Sequence, residues 1–138
     1  MVKLTIASIS YITGVVIYLL FRERHLLGFK VADSLGMGDT IDMLRECVKD
    51  IHPHNFVLFC LPDGLWTIAY ILLIEHVFRK SSASIRLAWA AVIPLLGIAS
   101  ELLQMAGLCK GVYDTRDLLC YAVPLAIDVV INLQRTTK

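Results

Sequence analysis

The chain holds four stretches, 4–21, 56–78, 85–105 and 117–133, that are predominantly apolar and of membrane-spanning length. The hydrocarbon core of a bilayer is about 30 Å thick and a helix rises about 1.5 Å per residue, so a span takes about 20 apolar residues. With four such stretches among 138 residues, little chain is left from which to build a soluble core. A soluble helical bundle would also carry polar residues along one face of each helix. These stretches are apolar all round. In lipid the backbone must satisfy its own hydrogen bonds, which helices do. The expected fold is therefore all-α: a polytopic membrane bundle of four transmembrane helices plus a short amphipathic interfacial helix, forming one integral membrane domain over residues 1–138.

Composition agrees. The hydrophobic share is 57% and the charged share only 18%, with mean hydropathy +0.70, whereas a soluble domain has about 25% charged residues. The net charge of +1 comes with no concentrated basic stripe, so no nucleic-acid partner is expected and the natural partners are membrane lipids. Cys47, Cys60, Cys109 and Cys120 show no CxxC or Cys/His metal spacing, and neither a metal nor a cofactor is expected. Cys60 and Cys120 read as small hydrophobes. Cys47 and Cys109 fall in loops on one side, where a disulfide would need an oxidising compartment.

The first stretch follows Lys3 and exceeds the apolar length of a signal peptide. Arg22-Glu23-Arg24-His25 follows it in place of a small-residue cleavage site, so it reads as a retained helix. Residues 22–55 form the longest segment outside the spans. Their first half, with Gly28, Gly36 and Gly38, reads as irregular. The second reads as an amphipathic helix capped by Asp39 or Thr40, with Asp42 in its first turn, an apolar stripe of Ile41, Leu44, Val48 and Ile51, and an end at His52-Pro53. The second span is expected to begin its continuous helix at Pro62, with 56–61 as a lead-in. Glu75 and Arg79 are spaced as a solvated i,i+4 pair. Pro94 and Pro124 lie inside the third and fourth spans, where neighbouring helices can satisfy a freed carbonyl. Lys3, Arg79, Lys80, Arg86, Arg135 and Lys138 crowd short segments on one side, which places both termini in the cytoplasm.

Ionisable groups at membrane depth cost about 2.5–3.5 kcal/mol at a helix centre, so each needs a partner, water or an interfacial position. Asp63, Glu101, Gln104, Asp114, Arg116 and Asp117 all fall on the side opposite the termini. Glu101 follows residues 87–100, which carry no charge, and Gln104 shares its helix face. Asp63 and Asp117 read first as residues of helix first turns, and Arg116 as the cation compensating Glu101 or Asp114. Trp66 and Tyr113 suit the same interface as aromatic rings. His25, His52, His54 and His76 read as loop or interface residues, and Asp128 and Asn132 as inner-end residues able to pair with a neighbouring span.

The run Ser100-Glu101-Leu102-Leu103-Gln104 is followed by Gly111-Val112-Tyr113-Asp114-Thr115-Arg116-Asp117-Leu118-Leu119-Cys120-Tyr121. This order resembles the VanZ-like family of small multi-pass membrane proteins, in which E-x-x-Q ends one helix and G-x-[FY]-D-x-x-D-[LI] leads into the next. Leu61-Pro62-Asp63-Gly64-Leu65-Trp66 is similar to the corresponding part of some members. The resemblance covers about the C-terminal half; Val123-Pro124 stands where many relatives have a small residue. It implies a bacterial cell-envelope protein of the cytoplasmic (inner) membrane and a connection with antibiotic resistance, the family being named for a protein linked to teicoplanin resistance. It supplies no reaction.

Three functions follow from these readings. The first is a non-enzymatic envelope protein whose outward polar cluster (Asp63, Trp66, Glu101, Gln104, Tyr113, Asp114, Arg116, Asp117) binds a lipid headgroup, a lipid-linked precursor or a glycopeptide. The second is a metal-assisted enzyme acting on a lipid phosphate. It ranks lower, because the chain has no aspartate-rich run, no Ser/His/Asp or Cys/His set and no phosphate-cradling glycine loop. The third is a homo-oligomerising membrane effector, although no span shows a sustained polar face.

Overall fold

The computed structural model describes residues 1–136, with side chains to Gln134, so Lys138 and the Arg135 side chain lie outside it. All secondary structure described is helical: α1 (Val2–Phe21), α2 (Leu27–Ser34), α3 (Gly38–Cys47), α4 (Leu61–Val77) preceded by a π-helical turn (Phe56–Cys60), α5 (Ala83–Met105) and α6 (Thr115–Thr136). Four helical stretches, Val2–Phe21, Phe56–Val77, Ala83–Met105 and Thr115–Gln134, are long and apolar enough to cross a membrane. The protein is a multi-pass membrane bundle. Its α4 packs against α1, α5 and α6 and is the central helix.

Pro62 does not start a new helix, as the sequence suggests, but sits inside a continuous one. Its ring nitrogen has no proton to donate to residue 58, and the chain answers by widening. The Leu61 N–H bonds to the Phe56 carbonyl, one residue beyond the α-helical partner. In α5, the Tyr70 hydroxyl donates at 2.6 Å to the carbonyl of Trp89, the residue before Ala90, whose carbonyl loses its helical donor at Pro94.

The segment between α1 and α4 is more ordered than its glycines imply. The Phe29 ring of α2 is fully buried and stacks on Tyr18 with centroids 5.6 Å apart. Gly28 is there for space: a Cβ on it would come within 2.7 Å of the Tyr18 ring. Gly36, at φ +73°, turns the chain into α3. Arg45 donates to the carbonyls of Leu19 and Arg22 at 2.8 and 2.9 Å, closing the end of α1. Arg24 bonds Asp42 at 2.6 Å and Asp33 at 3.0 Å, and the hydrogen bond to Asp42 holds its guanidinium above the ordinary arginine value. Asp42 thus serves Arg24 rather than the helix dipole. No side chain caps α3, which ends at Cys47, before His52-Pro53. Of the expected stripe only Ile41 is buried, while Leu44 and Ile51 are exposed. Cys47 and Cys109 are exposed free thiols.

Close approach of helices depends on two further glycines. A Cβ at Gly14 would come within 2.5 Å of Trp66 of α4, and one at Gly97 within 2.7 Å of the base of the Tyr121 ring of α6. Gly97→Val should therefore push α5 from α6 and cost about 1–3 kcal/mol, read as a lower melting midpoint in detergent. Gly64→Ala is the matched control. Its Cβ would rest 3.5 Å from Cys120 Sγ, an ordinary contact, and the midpoint should stay put.

Candidate functional site

Two polar centres lie at opposite ends of the bundle. At the end bearing the α5–α6 connection, Glu101 of α5 is 7% exposed, and its Oε2 accepts the Asp114 backbone N–H at 3.2 Å. Asp114 caps α6, its Oδ1 accepting the Arg116 backbone N–H at 2.8 Å. One turn later comes Asp117, whose Oδ1 is buried and has no hydrogen-bond partner. Cys60, 1% exposed on the π turn, brings its Sγ to the Asp114 and Asp117 carboxylates, the three donor atoms lying within 4.8 Å of one another. Asp63, one turn beyond Cys60, is half-buried and in electrostatic reach of Asp117 and Glu101, with Arg22 as the opposing cation. Arg22 itself lies over the Phe59 ring, 4.8 Å from its centroid.

The fold thus brings Asp63, Glu101, Asp114 and Asp117 together from α4, α5 and α6. Gln104 packs against the α5–α6 loop instead: its Nε2 donates to Ser100 Oγ at 3.4 Å, and the loop residue Gly111, at φ +138°, lies so close that a Cβ would be 2.7 Å from the Gln104 amide. Tyr113 is half-buried at the rim, its hydroxyl accepting from Thr115 Oγ1 at 3.3 Å. Two expected members stand apart. Trp66 turns toward α1, over Gly14 and 5.7 Å from the Tyr18 ring, with its Nε1 buried and unpartnered. Arg116 is exposed, and among the described residues its side chain makes no hydrogen bond or ion pair. It does not compensate Glu101 or Asp114 as expected. The cation near the acids is Arg22, which only the tertiary fold could reveal. Cys60 was legible in principle, since three residues before Asp63 is one helical turn.

Crowded carboxylates repel, and a bound cation or a retained proton relieves them. The separation of Cys60, Asp114 and Asp117 would let one ion touch all three. Their sequence separation hides this, which is why spacing suggested no metal set.

At the other end, Glu75 is 3% exposed and is not the solvated partner of Arg79. It bonds Lys3 of α1 at 2.7 Å, Arg86 of α5 at 2.6 Å and Asn132 of α6 at 3.2 Å. Arg86 also reaches Asn132 Oδ1 at 2.7 Å, and the Asn132 amide donates to the Asp128 carbonyl at 2.9 Å. This buried network ties all four spans.

Comparisons with protein-family models, curated proteins and solved structures find no match to the chain.

Proposed function

We propose that this is a bacterial cell-envelope protein of the VanZ-like kind, in the cytoplasmic membrane with cytoplasmic termini, whose acidic cluster binds the cationic group of a membrane-resident ligand. An amine on a lipid headgroup, a lipid-linked precursor or a glycopeptide has that chemistry. One observation carries the reading. Four carboxylates from three helices converge at one depth, and Asp117 Oδ1 is buried there without a partner. Of the residues that carry the family resemblance, Glu101, Asp114 and Asp117 build this cluster and Gln104 packs against the loop beside it, so a role in antibiotic resistance would act through it.

The test is retention of phosphatidylethanolamine against its uncharged N-acetyl derivative by the detergent-purified chain, read by native mass spectrometry. The amine form should be held about tenfold better, because a hydrogen bond to a charged group contributes about 1.5 kcal/mol or more. Asp117→Asn and Glu101→Gln should each erase the preference. Equal retention of both lipids by the unaltered chain would remove the reading.

A second reading has its own observation, the donor set Cys60, Asp114 and Asp117. Carboxylates alone suit magnesium, whereas a thiol donor favours a softer ion such as zinc. A metal held there could polarise a lipid phosphate. Hydrolysis of a lipid pyrophosphate that needs added magnesium or zinc, and is lost in Asp114→Asn, would favour this reading over the first.

A further inference from the structure

The crevice between α4 and α6 carries a feature that the acidic cluster does not use. Two apolar recesses of about 310 Å³ each lie end to end there and share Ile68, Val123 and Pro124. They join into one groove running from Arg116 to Ile131, and neither Asp63, Glu101, Asp114 nor Asp117 lines it. Sequence explains the hollow in part: Gly64 has no side chain on its wall, and Pro124 lies inside α6 near its middle. From Arg116 to Ile131 the helix advances about 22 Å at about 1.5 Å per residue. One leaflet, half of a hydrocarbon core about 30 Å thick, is about 15 Å deep. The groove therefore accommodates a whole acyl chain.

Charge enters this groove at its two ends only, as Asp128 toward Ile131 and as Arg116 at the mouth. Arg116 stands there among Phe56, Leu61 and Leu119 with its guanidinium exposed and, among the described residues, unpaired. Its backbone N–H is already taken by Asp114. A guanidinium at the headgroup level matches a phosphate bidentately. We infer that the α4–α6 groove holds an acyl chain of an anionic phospholipid whose phosphate sits on Arg116.

The full chain in mild detergent, titrated with phosphatidylglycerol and with diacylglycerol of the same chains, tests this by native mass spectrometry. One phosphatidylglycerol should be retained in preference to diacylglycerol. Arg116→Gln should lower that retention about fivefold, a single cation near the headgroups contributing about that much, and leave diacylglycerol unchanged. Val123→Trp enters the groove from a position 49% exposed and should displace both lipids without lowering the melting midpoint. Phosphatidylglycerol binding unaltered by either variant overturns the inference, as does a dimer that excludes lipid from the groove and dissociates with Val123→Trp. Asp117→Asn should not change phosphatidylglycerol retention, so failure here is separable from failure of the acidic-cluster reading.

Discussion

Glu75→Ala should be the most damaging single substitution in the protein, lowering stability by about 3–5 kcal/mol, the usual cost of removing one partner from a buried ion pair. The Glu75 side chain is 2% exposed and that of Arg86 13%, so neither can recruit water freely when the other is lost. Lys3, at 37%, can turn outward and suffers less. The loss should appear in detergent as a sharply lower melting midpoint and less monodisperse protein. Glu75→Gln keeps a hydrogen-bonding group beside Asn132 but leaves Arg86 without a counter-charge, and should fall between the two. Replacing the pair together, Glu75→Leu with Arg86→Leu, should recover much of the loss, because both desolvation penalties then vanish. A Glu75→Ala midpoint equal to that of the unaltered chain would show that the network contributes no net stability.

That network also shows where sequence reasoning stops. The four spans were legible because burial in lipid demands apolar residues at every position of a helix, a signal that is local and long. The pairing of Glu75 was not. On its own helix Arg79 is the evident partner, and the true ones, Lys3, Arg86 and Asn132, come from three other helices. Asn132 was recognisable as a residue able to pair across the bundle, but nothing in the sequence named its partner. Arg22 and Arg116 make the same point in reverse: proximity along the chain favoured Arg116 for the acids, and folding delivered Arg22. Gly28 looked like a loop residue because its packing role against Tyr18 is invisible without the tertiary contact. The convergence of Asp63 with Glu101 and Asp117 was legible, since alternating spans return the chain to the same end and helix length fixes depth.

Asp117→Asn should raise stability even as it removes ligand, the opposite outcome from the chemically identical change at Glu75. Asp117 faces Asp63 and Asp114 with no cation in direct contact, and its buried Oδ1 lacks a donor. An amide there removes a like charge and can donate to the neighbouring carboxylates, so the midpoint in detergent should rise by the equivalent of about 1 kcal/mol. Asp63→Asn should act in the same direction, and the double variant should gain less than the sum, because both changes relieve one shared repulsion. An added divalent cation or amine-bearing lipid should stabilise the unaltered chain toward the Asp117→Asn level and have little effect on the variant, since a ligand that binds only the folded state stabilises by mass action. A cluster kept for structure alone would behave otherwise: its neutralisation would destabilise, as at Glu75, and cations would leave the midpoint where it was. The sign of the Asp117→Asn shift therefore separates a site held under electrostatic strain for a ligand from a second lock between helices.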